Sequence, residues 1–253
     1  VSERVQSVAV VGRDAPVWLT AAAVQRALGR TGVRVQVVEL DSRLSTVDVY
    51  AAVPSLASMH RLLGLDERLV LNVCHGVPMV AQRFSNWAKG AQPYFIAYDD
   101  EPPPGGDLPF VQFWAKGRLE GLRAGVQEFS LGTACARLNN VPVPAPEHTG
   151  LSASYGYHLD AGLYSELAKQ LALRLGVEEV GGPRNIHVDG DRIEGIDLAD
   201  GTQIGADLYL DASGSEARLI GHLESASFES WGEWLPCDRL LAANAPKMPT
   251  LPT

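Results

Sequence analysis

The sequence predicts an α/β fold built on a parallel sheet, and three stretches carry that expectation. Val8 to Val11 is an unbroken apolar run, followed by a helical pattern and a second strand, as in a βαβ unit whose sheet is covered on both faces. "DAGLYSELAKQLALRLGV" (160–177) has the period of a long amphipathic helix. "ADLYLDASG" (206–214) reads as one more buried strand ending in an acidic turn that contains glycine.

Each element follows from its residues. The first strand ends at Gly12. "TAAAVQRALGRTG" (20–32) is an Ala- and Leu-rich helix stopped by Gly29 and Gly32. "VRVQVVEL" (33–40) is the second strand, reached by a right-handed crossover. "VPSLASMHRLLGL" (53–65) is helical, with Leu56, Met59, Leu62 and Leu63 on one face. "DDEPPPGGDLP" (99–109) and "NNVPVPAPEHTG" (139–150) are connectors, because proline removes backbone donors and glycine adds chain entropy. In the 160–177 helix, Asp160 is the N-cap, Leu163, Leu167, Leu171 and Leu175 form a stripe, and Gly176 stops it. Asp189-Gly190 and Asp200-Gly201 then mark the turns of a β-meander. The expected layout is a sheet domain from 1–46 and 151–225, an inserted irregular and helical segment at 47–150, and the start of a further region at 226–253.

Composition narrows the functions. Apolar residues make up 46% of 253, enough for a packed core, and no apolar run approaches the roughly 20 residues of a membrane span. A net charge of −9 without a Lys/Arg cluster opposes nucleic acid and anionic membrane as partners. Cys74, Cys135 and Cys237 are isolated and read as free thiols, and the histidines lack metal-ligand spacing. The expectation is a soluble, cytoplasmic protein without a metal. Ser213 lacks the surroundings of a nucleophile elbow, and the Asp160/Glu166 and Asp99/Asp100 pairs read as solvated charge.

The turn after the first strand raises the central question. A loop that cradles a diphosphate has the pattern G-x-G-x-x-G, in which glycines admit the phosphates to the backbone and the helix N-terminus stabilises their charge. Here Gly12 stands in the first position, but Asp14 and Val17 occupy the other two. Asp14 puts a carboxylate where a phosphate belongs, and Val17 adds a side chain where helix and strand should pack closely. Taken alone, the loop reads as a structural βα turn or as a degraded phosphate cradle. Glu39, at the end of the second strand, stands where a carboxylate accepts ribose hydroxyls, although an acid there is also an ordinary surface charge. Asp211 and Gly214 in "DASG" read as a turn or as part of a cofactor site.

Six stretches together resemble one family: "VAVVG" with "VWLTAAAVQRAL", "VPSLASMHRLLGL", "RFSNW" (83–87), "YGYHLDAGLYSELA" (155–168), "DLYLDASG" and "WLPCDRLL". They are similar to segments of the flavin-dependent tryptophan halogenases, and the likeness runs along nearly the whole chain. The resemblance implies a Rossmann-like FAD-binding flavoprotein fold, with cofactor contacts at Gly12, Ala15, Glu39, Asp211 and Gly214. In that family reduced flavin, oxygen and chloride generate the halogenating agent, and a lysine presents it to the substrate. Counting back from the F-x-N-W block puts that lysine at Met79, whose thioether cannot replace an amine, and Arg83 is no default substitute. "VYAA" (49–52) stands in place of the family's G-E-A-T.

The resemblance therefore implies an FAD-dependent oxidoreductase scaffold with weak or absent FAD binding and no halogenation by this chain alone. A flavin reductase is the implied partner if the protein is active. A non-catalytic subunit or scaffold, and a fragment of a longer active protein, are the competing expectations. Restoring Asp14→Gly together with Val17→Gly should increase FAD binding. The family's W-x-W-x-I-P motif lies beyond "LPCDR", so Trp231 and Trp234 read as packing residues. An apolar face left uncovered there would favour self-association or a partner polypeptide near Trp231, Trp234 and residues 240–253.

Overall fold

The computed structural model describes residues 4–87, 89–90, 92–99, 108–141, 154–239 and 241. In chain order the elements begin with β1 (Ser7–Gly12), α1 (Asp14–Leu28), β2 (Arg34–Glu39), β3 (Val49–Ala52), α2 (Ser55–Leu63) and α3 (Glu67–Val73). They continue with β4 (Val77–Met79), β5 (Ala81–Phe84), β6 (Tyr94–Ala97), α4 (Phe110–Leu119), α5 (Leu131–Arg137), β7 (Gly156–Asp160) and α6 (Ala161–Arg174). The last are β8 (Glu178–Gly181), β9 (Pro183–Asp189), β10 (Arg192–Leu198), β11 (Gln203–Ile204) and β12 (Leu208–Ala212). Most of the two proline-rich connectors, and the tail beyond 241, lie outside the described residues.

The chain divides into two units. The first gathers residues up to Val49, His60–His75 and residues from Asp160 onward. Its centre is a four-stranded sheet of order β12-β1-β2-β8, parallel throughout. Val8 to Val11 are completely buried, as an unbroken apolar run in a doubly covered strand should be. The covering helices α1 and α6 pack on each other. Small buried residues on both, Ala21 and Ala22 on α1 and Ala168 and Ala172 on α6, suit close approach of their backbones. The meander β9-β10-β11 supplies a further apolar cluster, in which Ile196, Leu198 and Leu219 pack with Val11 and Val38. Both Asp-Gly turns form, with Gly190 and Gly201 at positive φ of 56° and 88°.

Several local expectations shift. Helix α1 starts at Asp14, earlier than its alanine run, and stops at Leu28, after which a 3-10 turn runs to the left-handed Gly32. Asp160 caps α6 as expected, accepting from the Leu163 amide at 2.9 Å. The buried face of α6 is Ala161, Tyr164, Leu167, Ala168, Leu171 and Ala172, and Leu163 lies at its exposed edge. In α2 it is His60 and Leu63 that are buried, while Leu62 is exposed. Trp231 and Trp234, expected to pack, are 62% and 83% exposed, with Phe228 and Leu235 exposed beside them. No described helix is long and apolar enough to cross a membrane.

The second unit comprises Tyr50–Met59 and Gly76–Leu159 among the described residues. It holds the three-stranded sheet β3-β7-β4 and the hairpin β5-β6. Asp99 ties the hairpin end to α5 by accepting from the Ser130 hydroxyl at 2.9 Å and the Gly132 amide at 3.2 Å. Ser130 in turn caps α5 through the Thr133 amide.

Candidate cofactor site

The carboxyl ends of three parallel strands meet in register. Gly12 on β1 pairs with Glu39 on β2 and with Ala212 on β12, and Val11 pairs with Asp211. Connections leave β1 towards β2 on one side, and β12 returns on the other, so this edge is a topological switch point, where open α/β sheets bind ligands. Gly12 has no room for a side chain: a Cβ there would stand 2.4 Å from the Ala212 carbonyl oxygen. The sheet thus brings Gly12, Glu39 and Asp211 together, with Ala15 and Gly214 on the turns leaving β1 and β12.

The polar groups of this edge already have partners within the chain. The Ala15 amide, in the first turn of α1, donates to Ser165 Oγ at 2.9 Å. Glu39 is held by both oxygens: Trp18 Nε1 donates to Oε1 at 2.8 Å and Lys169 Nζ to Oε2 at 2.8 Å. Lys169 also donates to Glu179 at 2.7 Å and lies 4.9 Å from the centre of the Trp18 ring, a cation–π distance. Burial pulls the Lys169 ammonium down, but its hydrogen bonds to Glu179 and Glu39 outweigh that and hold its pKa above the ordinary lysine value.

Asp211 organises its own loop. Oδ1 accepts from the Ser213 amide and hydroxyl at 3.0 and 2.5 Å, and Oδ2 from the Leu219 and Ile220 amides at 2.8 and 3.1 Å. Burial pushes this carboxyl up, yet those four donors win and keep its pKa below the usual aspartate range. Gly214 takes the positive φ, 71°, that turns the chain out of β12. Just beyond it, Glu216 receives a two-pronged contact from the Arg13 guanidinium and a further one from Arg43 Nη1 at 2.7 Å. Arg13 is the residue immediately after Gly12.

An open cleft of about 580 Å³ lies on the helical side of this edge. Asp14, Glu39, Asp160 and Glu166 supply its acidic groups and Lys169 its cation. Asp14 itself has φ of 55°, in the left-handed region that glycine favours. Val17, by contrast, is completely buried in α1.

Met79, Arg83 and the "VYAA" residues from Tyr50 onward fall in the second unit. Met79 is half-buried on β4 and pairs across β7 with Gly156. On the other side of β7, a Cβ at Gly156 would collide with the Ala52 carbonyl oxygen. The "VYAA" strand and Met79 therefore flank one glycine of one small sheet. Arg83 is exposed on β5.

Sequence reading did not anticipate Lys169, Ser165 or the Arg13–Glu216–Arg43 group. The signal available was the charge of Arg13 and Glu216, each within two residues of a glycine already under consideration.

A parallel sheet with its switch point at β1/β12 and a glycine-only crossing there places the chain in the Rossmann-like class of α/β folds. The tryptophan halogenase family model matches residues 7–253, and the chain belongs to that family. It is 28% identical to tryptophan 7-halogenase KtzQ of Kutzneria sp. (strain 744) over 96% of this chain and 49% of that protein. Two solved structures superpose with a TM-score of 0.80: Xcc4156, a flavin-dependent halogenase from Xanthomonas campestris, at 29% identity, and BrvH, a flavin-dependent halogenase from Brevundimonas sp. BAL3, at 26%. Each match covers 92% of this chain, and respectively 47% and 48% of the other. The chain thus spans about half the length of the relatives it matches.

Proposed function

We propose that this chain carries the flavin-nucleotide end of a halogenase-type flavoprotein, binds FAD weakly, and does not halogenate tryptophan by itself. The observation that carries the reading is Gly12, pressed on the Ala212 backbone and in register with Glu39 at the sheet's switch point. A carboxylate at the end of the strand beside β1 is what the ribose end of a dinucleotide meets in such sheets, and ribose hydroxyls would compete with Trp18 and Lys169 for Glu39.

The phosphate end does not fit as it stands. The Ala15 amide is spent on Ser165, Asp14 adds negative charge to the cleft, and Glu216 already neutralises Arg13. A diphosphate would meet like charge and occupied donors, which is the physical reason to expect weak binding. At the halogenating position, Met79 offers no amine to carry a halogen and no hydrogen-bond donor. Any flavin chemistry would need reduced flavin from a separate flavin reductase.

A non-catalytic subunit is the second reading. It is favoured by the internal satisfaction of the edge, where the Ala15 amide and the Glu39 and Asp211 carboxylates all have partners from this chain. Flavin absorbance of the purified protein, followed by titration with FAD, separates the two. Substoichiometric flavin as purified, with saturable binding on titration, is the expected result. A stoichiometric yellow protein refutes weak binding. No binding at any concentration removes the flavin reading and leaves the subunit.

A further inference from the structure

Arg13, Glu216 and Arg43 form a charged group beside the switch point. Arg13 leaves the end of β1, Arg43 follows β2, and Glu216 sits on the 3-10 turn after β12. Arg13 and Glu216 are sheltered, with side chains 15% and 21% exposed, while Arg43 is 70% exposed. Arg13 meets Glu216 in fork-to-fork fashion, the geometry guanidinium groups use for carboxylates and phosphates alike. Hydrogen bonding by Arg13 holds the Glu216 carboxyl below the usual glutamate range, so it is an anion at neutral pH.

Two features show the group is incompletely matched. Arg13 and Arg43 both contact the one carboxylate and Arg218 adds to the positive field on it, leaving surplus positive charge. In addition, Arg13 Nε is buried without a hydrogen-bond partner, an unspent donor on the same guanidinium. A diphosphate diester carries two negative charges and more oxygens than a carboxylate, and it would answer both deficits.

We infer that Glu216 is a resident anion standing in the phosphate end of the cofactor site, and that a diphosphate-bearing ligand seats there only by displacing it from Arg13 and Arg43. The location rests on the flavin-nucleotide reading above; the anion exchange rests on the arginines alone. Glu216 then acts as a latch, lowering the affinity of phosphate-bearing ligands while leaving a ligand without phosphate unaffected. The exposed Arg43 is the arm free to follow the incoming anion.

The test compares the unsubstituted protein with Glu216→Gln by calorimetric titration with ADP, FAD and riboflavin at one ionic strength. Gln keeps the shape and removes the charge. ADP and FAD should bind Glu216→Gln about tenfold more tightly, with riboflavin unchanged. Glu216→Asp, which withdraws the charge by one methylene, should give a smaller gain in the same direction, and it provides the answer if Glu216→Gln does not fold. Equal affinity of ADP for all three proteins, or a gain shared by riboflavin, overturns the latch. A gain for ADP with no binding of riboflavin and no advantage of FAD over ADP keeps the latch and removes the flavin reading.

Discussion

Trp18 and Lys169 grip Glu39 from two sides: the indole N–H donates to one carboxylate oxygen at 2.8 Å and the ammonium to the other at 2.8 Å, while the ammonium lies over the indole ring. The three side chains form a closed unit joining α1, β2 and α6. Lys169→Met keeps the aliphatic length and removes the charge, leaving Glu39 and Glu179 as neighbouring anions. We expect a loss of about 1–3 kcal/mol in chemical denaturation, because a sheltered charge loses its partner. An unchanged denaturation midpoint would show that the pair contributes nothing beyond surface ion pairs.

Asp14 and Val17 occupy glycine positions of the phosphate pattern, but they answer to different physics. Asp14→Gly relieves a left-handed φ and forfeits a favourable charge at the α1 N-terminus; each effect is worth about 0.5–1 kcal/mol, so stability should stay within about 0.5 kcal/mol. Its gain should appear as tighter ADP binding. Val17→Gly empties a fully buried site inside a helix and should cost about 2–4 kcal/mol. The double substitution therefore mixes a binding gain with a folding loss, and thermal melts of the two single variants will separate them.

His60 gives the fold an acid limit. It is buried in α2 with its Nε2 2.7 Å from the Tyr164 hydroxyl. Desolvation lowers its pKa from the ordinary 6.5, against an opposing pull from Glu67. The unfolded chain thus takes up a proton near pH 6.5 that folded His60 resists. Its contribution is intact above that pH and is lost as pH falls towards the folded value, at up to about 1.4 kcal/mol per pH unit. Denaturation at pH 7.5, 6.5 and 5.5 should show this slope, and a His60→Gln variant that retains it in full would assign it elsewhere.

The 226–239 stretch exposes Phe228, Trp231, Trp234 and Leu235 within fourteen residues. Aromatic groups this open promote association. Light scattering should show mass rising with protein concentration, and Trp231→Ser with Trp234→Ser should suppress the rise. A monodisperse monomer at micromolar concentration that binds no apolar-surface dye would dispose of the idea.

The sheet and its edge were legible because their signals are local. Val8–Val11 is buried on both faces and reads as one apolar run; Asp189-Gly190 and Asp200-Gly201 dictate their turns by conformation alone. Gly12, Glu39 and Asp211 follow from resemblance and from strand ends. The ion pairs around them did not follow, since Lys169 lies 130 residues from Glu39 and Glu216 lies 203 from Arg13. No periodicity encodes such pairings. The start of α1 was obscured because Asp14 enters the helix from a left-handed conformation and Pro16 interrupts the helical pattern. Trp231 and Trp234 read as core because composition records that a residue is aromatic and not what covers it.

The pairing of β12 with β1 places Leu208 beside Val8. During synthesis, one edge of the innermost strand must wait through about 200 residues, some 10–40 s at about 5–20 residues per second. Asp207 fastens that late arrival by accepting from the Gln6 and Ser7 amides at 2.8 and 2.9 Å. Until then a bare, fully apolar strand edge is on offer to other nascent chains. The yield of folded protein should therefore depend on how fast ribosomes reach Ala212 and on whether a chaperone guards the first strand in the meantime.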